Sequence, residues 1–390
     1  MAVPKLRFKE FDGDWNSIAI GKFLKIKSGL GFKAEEYSTE QEIRLLQIEN
    51  VGYGAVKWTH NVKFVPTNYL DVHKDLVLKE GDLVLALNRP VTNDQLKIAK
   101  LTQEDSPSIL YQRVGKLDFL KEDIDKEFIF QIFKKDVKNY VLNSSIGSDQ
   151  PFISTTDLYK HKLCIPLKEE QTKIASFLSA VDEKISQLTQ KHELLSQYKQ
   201  GMMQKLFSQQ LRFKADDGSE FGEWEDKKLG DICSHFQSGK TITSATISDN
   251  GAYPVFGGNG LRGFTDTYTH DGIFALIGRQ GALCGNINLV QGENFISEHA
   301  IAVQANQESS TQWLAMWLDF MQLNRFSESS AQAGLAVNKL VKFDIKVPCL
   351  EEQTKIANFL SAIDQKIEVV AQQIEQAKTW KKGLLQQMFV

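Results

Sequence analysis

Apolar residues recur in steps of four and three along two stretches of this chain. The first series is Ile174, Leu178, Val181, Ile185, Leu188, Leu195, Met202 and Leu206, continuous once His192 and Lys199 are counted. The second is Ile356, Leu360, Ile363, Ile367, Val370, Ile374, Ala377, Leu384 and Met388, with Lys381 in the series. A 3.5-residue period held over five heptads predicts a coiled-coil seam. Neither stretch contains proline, and each opens on two acidic residues (Glu169-Glu170, Glu351-Glu352), where the helix dipole favours negative charge. The stretches are copies of each other: residues 169–207 and 351–389 align at a constant offset of 182, with 20 of 39 positions identical. Such a repeat is one structural unit used twice. Lys199 and Lys381 interrupt the seam at the same place, and Gly201 and Gly383 follow. A helix-interior glycine costs about 1 kcal/mol relative to alanine, so its presence in both copies predicts close backbone approach there.

Outside these helices the pattern is shorter. Residues 1–166 contain β-type runs at 43–48, 82–87 and 128–133 among turn signals such as Glu80-Gly81-Asp82. Residues 211–348 are glycine-rich at Phe256-Gly257-Gly258-Asn259-Gly260 and around Arg279, with helical spacing from Trp313 to Phe320. The edges of the two regions match. Leu6-Arg7-Phe8-Lys9 with Trp15 answers Leu211-Arg212-Phe213-Lys214 with Trp224. Ser28-Gly29 answers Ser238-Gly239, and Pro166 answers Pro348 at the exits. The order is module (1–166), helix (167–210), module (211–348), helix (349–390).

Matched seams predict that the two helices pair, and the chain order makes that pairing antiparallel. The expected fold class is α+β: two globular α/β modules separated by a long antiparallel two-helix coiled coil, pseudo-two-fold symmetric. About 40 residues at 1.5 Å each make a rod of roughly 60 Å. DNA has local two-fold axes, and its symmetric readers place half-sites about 34 Å apart or at multiples of that. Two modules with unlike middles would therefore read two unlike half-sites across a spacer.

Composition narrows the class. The chain is 42% hydrophobic and 24% charged, as in an ordinary globular protein. No apolar run reaches bilayer-spanning length and the N-terminus has no signal-peptide core, so a cytoplasmic protein with no membrane partner is expected. The four cysteines are far apart with no CxxC pair, which argues against a metal site or a disulfide framework. The net charge of −3 requires that any DNA contact come from local clusters or be shared with a more basic partner. Residues 208–350 are the acidic part, with 16 Asp and Glu against 11 Lys and Arg. No phosphate-loop lysine motif or histidine ligand spacing is present, so no catalytic constellation is expected. Guanidinium and amide side chains on loops are the usual readers of base edges. The candidates are Asn88, Arg89, Gln112 and Arg113 in the first module and Lys240, Thr241, Asn259, Arg262, Arg279 and Gln280 in the second. Arg279 stands out because glycines on both sides would allow close approach to a ligand. Lys199 and Lys381 are further candidates, for a duplex backbone or a partner subunit. The competing reading is a non-DNA coiled-coil scaffold carrying two peptide-binding modules.

The chain resembles the specificity (S) subunit of type I restriction-modification systems. The likeness lies in Pro-x-x-Glu-Glu-Gln-x-x-Ile-Ala-x-Phe-Leu at 166–178 and 348–360, in the helix ends from Lys199 and Lys381, and in the Arg-Phe…Trp and Ser-Gly module starts. The second module also resembles a recurrent type of recognition domain, through Tyr253–Gly260, 277–286 and Glu298-His299-Ala300. The resemblance implies that each module is a target recognition domain binding double-stranded DNA. It implies that the helices, through Ile174, Leu178, Val181, Ile185, Leu188, Met202, Ile356, Leu360, Ile363, Ile367, Val370 and Leu384, form the coiled-coil seam and the subunit-docking surface. Two modification (M) subunits binding S-adenosylmethionine and methylating adenine would dock there. Two restriction (R) subunits using ATP and Mg for translocation and cleavage would join them. The S subunit itself would bind no cofactor and carry no catalysis.

Overall fold

The computed structural model describes residues 3–144, 152–281, 283–327 and 334–390. It divides into two compact units, residues 1–188 with 373–390 and residues 189–372. Each unit holds one module and parts of both long helices, Lys168–Phe207 and Leu350–Met388.

In the first unit a five-stranded sheet runs in the order Leu24–Ser28, Val114–Phe119, Leu83–Ala86, Ile98–Lys100, Tyr53–Ala55. A four-stranded sheet follows the order Phe64–Val65, Ile43–Leu46, Ser108–Leu110, Val77–Leu78. The apolar runs at 43–48 and 82–87 supply central strands of these sheets, and Leu83–Ala86 is buried along its whole length. The run at 128–133, read as β from the sequence, is instead the helix Lys126–Phe133. A short continuous apolar run has no period that separates a buried strand from a buried helix. Asp125 decides the matter by accepting the Phe128 amide at 3.0 Å as the helix N-cap.

The second unit repeats this plan. Cys233–Ser238, Ala300–Ala305, Ile273–Gly278 and Ile287–Gln291 form one sheet, and Gly260–Thr265, Tyr253–Gly257 and Phe295–Ile296 form the other. In both units the short sheet has a parallel pair, Ile43–Leu46 with Ser108–Leu110 and Tyr253–Gly257 with Phe295–Ile296. The module helix Thr311–Phe320, predicted from its spacing, is capped by Ser310 and buries Trp313 completely. The middles that differ in sequence therefore share a topology.

Each module closes on itself and on a long helix by the same devices. Its first and last strands pair antiparallel, Asn16–Ala19 with Lys162–Ile165 and Glu225–Lys228 with Asp344–Val347. The second glutamate of each helix start is buried. Glu170 receives Arg7 Nε and Nη2 at 2.7 Å and the Trp15 indole at 3.3 Å. Glu352 receives Arg212 at 3.1 and 2.7 Å and the Trp224 indole at 3.1 Å. The next residue is a tie. Gln171 donates to the Pro166 carbonyl at 3.0 Å and accepts the Asp125 amide at 2.8 Å. Gln353 donates to Pro348 at 2.8 Å and accepts the Ser310 amide at 2.7 Å. Each glutamine thereby fixes the N-cap residue of the module helix to the long helix. Glu169 and Glu351, the first of each pair, remain exposed in the opening turn.

Within the first unit the opening turns of the first long helix share a core with the closing turns of the second: Ile174, Leu178 and Val181 with Leu384, Met388 and Phe389. Within the second unit Met203, Leu206 and Phe207 share a core with Ile356, Leu360 and Ile363. Among the remaining seam residues Leu188 and Val370 are buried and Ile185, Ile367 and Met202 partly so, Met203 being the more enclosed of its pair. The seam lysines are paired inside the chain, Lys199 with Asp364 at 2.6 Å and Lys381 with Asp182. Their charge is thus matched by an aspartate on the other long helix within the same unit. The close approach expected at Gly201 and Gly383 is absent among the described residues, since a Cβ at either would meet open space.

Around these pairs the two units carry opposite charge. Lys134 contacts Asp182 at 3.2 Å beside Lys381, and Gln131 donates to the same carboxylate at 3.0 Å. The equivalent position in the other module helix is Asp319, which lies in the fields of Lys199 and Asp364. Burial, reinforced by Lys381, pushes Lys134 down to about 8. Burial and Asp364 push Asp319 up.

Two outcomes are expected. Arg212→Ala leaves the Glu352 carboxylate buried and unpaired, so the second unit should lose about 3–5 kcal/mol, with much of it restored by adding Glu352→Gln. Denaturant unfolding followed by tryptophan fluorescence reads this, and a loss under ~1 kcal/mol contradicts the role given to the pair. The second concerns Lys134. Between pH 8 and 10.5 the unfolded chain holds the proton that the native lysine has released, so stability rises with pH across that window. Lys134→Met should abolish the rise and stabilise the first unit at pH 7 by about 1–3 kcal/mol. Melting curves of both forms at pH 7 and pH 9.5 decide it.

Candidate nucleic-acid interface

The shared Ser-Gly pair stands at the end of the second strand of each module, Leu24–Ser28 and Cys233–Ser238, and its glycine is sterically required. A Cβ on Gly29 would lie 2.3 Å from the Tyr111 carbonyl oxygen and 2.5 Å from that of Leu110. On Gly239 it would lie 2.3 and 2.4 Å from those of Ile296 and Ser297. This crossing of two backbones brings several loops to one end of each module.

In the second module Glu298 N donates to the Lys240 carbonyl at 3.1 Å and Lys240 N to that of Ile296 at 2.9 Å. Arg279 N donates to the His299 carbonyl at 3.0 Å, and Leu335 N to that of Arg279 at 3.0 Å. Gln280 bridges to Gly334. Gly258 packs here too, because a Cβ on it would lie 2.8 Å from Gly278 Cα and from the His299 carbonyl oxygen. The junction therefore gathers Lys240, Thr241, Asn259, Arg279 and Gln280. Arg262 lies on the adjacent hairpin, its Cδ 2.8 Å from where a Cβ on Gly257 would stand. A Cβ on Gly278 would lie 2.6 Å from the Leu283 carbonyl oxygen and 3.0 Å from that of Gly258, whereas one on Gly281 would meet nothing within 4 Å.

Glu298 and His299, which the sequence marked as part of the resemblance to a recognition domain and not as candidate readers, join the same junction. Glu298 accepts the Ile242 amide at 3.2 Å and lies 3.4 Å from His299 Nε2. Two further histidines stand behind Lys240. Burial, the neighbouring His235 and the Lys240 charge hold His270 down to about 4, and burial with Lys240 lowers His235. Positive charge at this end thus comes from Lys240, Arg262 and Arg279.

The first module builds the same junction. Gln112 N donates to Leu30 at 2.9 Å, Leu87 N to Arg113 at 2.9 Å and Ile153 N to Leu87 at 2.8 Å, while Asn88 bridges to Phe152. Asn88 is half-buried, and Arg89, Gln112 and Arg113 are exposed. Arg89 and Arg113 hold left-handed backbone, with φ of 44° and 65°. A non-glycine residue there carries strain of order 1–3 kcal/mol that the surrounding contacts must hold. Among the described residues no group of three or more His, Cys, Asp or Glu is placed to hold a metal ion, and no helix is long and apolar enough to cross a membrane.

The sequence profile of the type I restriction modification DNA specificity domain matches residues 12–197 and 222–379. The chain belongs to this family, with two copies of its domain. It is similar to the type I restriction enzyme MjaVIII specificity subunit of Methanocaldococcus jannaschii, at 38% identity over 218 residues, covering 55% of this chain and 50% of that protein. It is similar to the EcoprrI specificity subunit of Escherichia coli at 35% identity over 209 residues, covering 52% and 51%. The chain thus spans about half the length of these curated relatives. The crystal structure of the type I restriction-modification S subunit from M. genitalium shares the fold, with TM-score 0.68 at 19% identity over 100% of this chain and 99% of that one.

Gly239→Ala should drive two carbonyls apart and lower the melting temperature of the second unit, leaving the first unit's transition in place. Differential scanning calorimetry of the full chain reads both, and an unaltered second transition contradicts the crossing as the organiser of the junction.

Proposed function

We propose that this chain is the DNA-reading specificity subunit of a type I restriction-modification complex, each module reading one half of a bipartite, asymmetric site. One observation carries the reading. A single backbone junction is built twice, from the same hydrogen bonds, and presents different polar side chains each time. A duplicated frame with exchanged side chains is what reading two unlike half-sites requires, because phosphate contacts position a reader while base-edge contacts specify the sequence. Family membership supports it.

In this reading the long helices pair antiparallel along their length as one coiled coil of roughly 60 Å, with an approximate two-fold axis across it, and set the distance between half-sites. The interlocked cores within each unit support that pairing. Two M subunits carrying S-adenosylmethionine and two R subunits using ATP and Mg dock on this frame and supply the chemistry, while this chain binds no cofactor. Asn88, Arg89, Gln112 and Arg113 face one half-site, and Lys240, Thr241, Asn259, Arg262, Arg279 and Gln280 the other.

Sequencing of methylated bases in DNA from the host tests the proposal. Methylation at a bipartite motif with unlike halves should vanish when the gene is deleted, and an unchanged methylome overturns the reading. Arg279→Ala should weaken cognate binding by about 1–3 kcal/mol and relax one half-site only. Equal loss at both halves would remove Arg279 from base readout.

A further inference from the structure

The hydrogen bonds of the two junctions give a residue-by-residue correspondence that sequence alignment does not reach. Gly29 N bonds the Val114 carbonyl as Gly239 N bonds that of Ala300. Tyr111 N bonds Leu46 as Ser297 N bonds Phe256. Gln112 N bonds Leu30 as Glu298 N bonds Lys240. Leu87 N bonds Arg113 as Arg279 N bonds His299, and Ile153 N bonds Leu87 as Leu335 N bonds Arg279. The isolated bridges agree: Leu30 with Tyr111 as Lys240 with Ser297, and Asn88 with Phe152 as Gln280 with Gly334.

Asn88 and Gln280 thus occupy one position in a common frame. The residue after each is left-handed, Arg89 at φ 44° and Gly281 at φ 82°, so both amides stand on the same kind of turn. At the other positions the chemistry changes. Leu30 is replaced by Lys240, Gln112 by Glu298, Arg113 by His299 and Leu87 by Arg279. Only at 88 and 280 does each module present a carboxamide. Among the described residues neither carboxamide makes a hydrogen bond, and the residue before each has both its backbone N–H and its carbonyl bonded. A carboxamide matches one base edge bidentately, the N7 acceptor and N6 donor of adenine in the major groove.

We infer that Asn88 and Gln280 are equivalent specificity-determining residues, each reading one adenine of its own half-site. The inference rests on the DNA-reading function proposed above and adds the base class and its position in the frame.

The experiment uses the full chain assembled with its modification subunits, and selection of bound duplexes from a randomised pool. Wild-type complex should show an A·T requirement in each half. Gln280→Met should lower discrimination at one A·T pair in one half by roughly 5- to 150-fold, and Asn88→Leu should do so at one pair in the other half. Gln280→Glu and Asn88→Asp keep the side-chain shape, present acceptors only, and should shift the preferred base at those same positions from adenine to cytosine. Unchanged preferences in both pairs of variants overturn the inference, as does an altered position that was not A·T in wild type. In either case a wild-type bipartite preference leaves the DNA-reading function standing. A wild-type complex without sequence preference overturns that function and this inference together.

Discussion

A buried glutamate at the start of each long helix is the constraint on which each module's attachment depends. Glu170 and Glu352 are each 1% exposed. A carboxylate so enclosed must be compensated, because the cost of desolvating it is several kcal/mol. The guanidinium and indole that compensate it come from the first residues of the module, some 155 to 163 positions earlier in one unit and 128 to 140 in the other. One ionic centre therefore ties the beginning of the module to the helix that follows its end. The adjoining glutamine ties the module helix to the same point. Module orientation on the helix follows from these two side chains rather than from linker length.

The seam adds a second electrostatic layer. In each unit an aspartate on one long helix accepts a lysine from the other, an arrangement that suits register better than raw stability, since replacing a buried pair with apolar residues is often neutral. The module then contributes a third charge, Lys134 in one unit and Asp319 in the other. One unit has two cations around a carboxylate, and the other two carboxylates around a cation. The lysine–aspartate pair between the long helices is repeated in both units, and the charge departs at the module side of the contact.

Divergence of the reading surface against constancy of the frame has a simple physical basis. The junction is fixed by backbone amides and carbonyls, with glycine at the crossing where no side chain fits. Side chains projecting from that lattice are largely free to vary, because its bonds are mostly backbone to backbone, the Glu298 carboxylate on the Ile242 amide being an exception. This is why Lys240 can stand where Leu30 does, and Arg279 where Leu87 does, without altering the strand order beneath.

The sequence alone determined the duplicated helices, the two modules, the places where their edges match and the family to which they belong. It did so because long periodic patterns and repeated spacings survive in one dimension. It could also pick exposed amides and cations near glycine-rich turns. The tertiary structure decided matters that depend on partners distant in the chain. Residues 128–133 form a helix because Asp125 caps it and the core encloses it. Lys199 and Lys381 answer to aspartates on the facing helix. Gly201 and Gly383 face open space, and Glu170 and Glu352 take an arginine and an indole from more than 120 positions away. The equivalence of Asn88 and Gln280 is written in hydrogen bonds between segments far apart in sequence, a relation that becomes visible only when the backbone is folded.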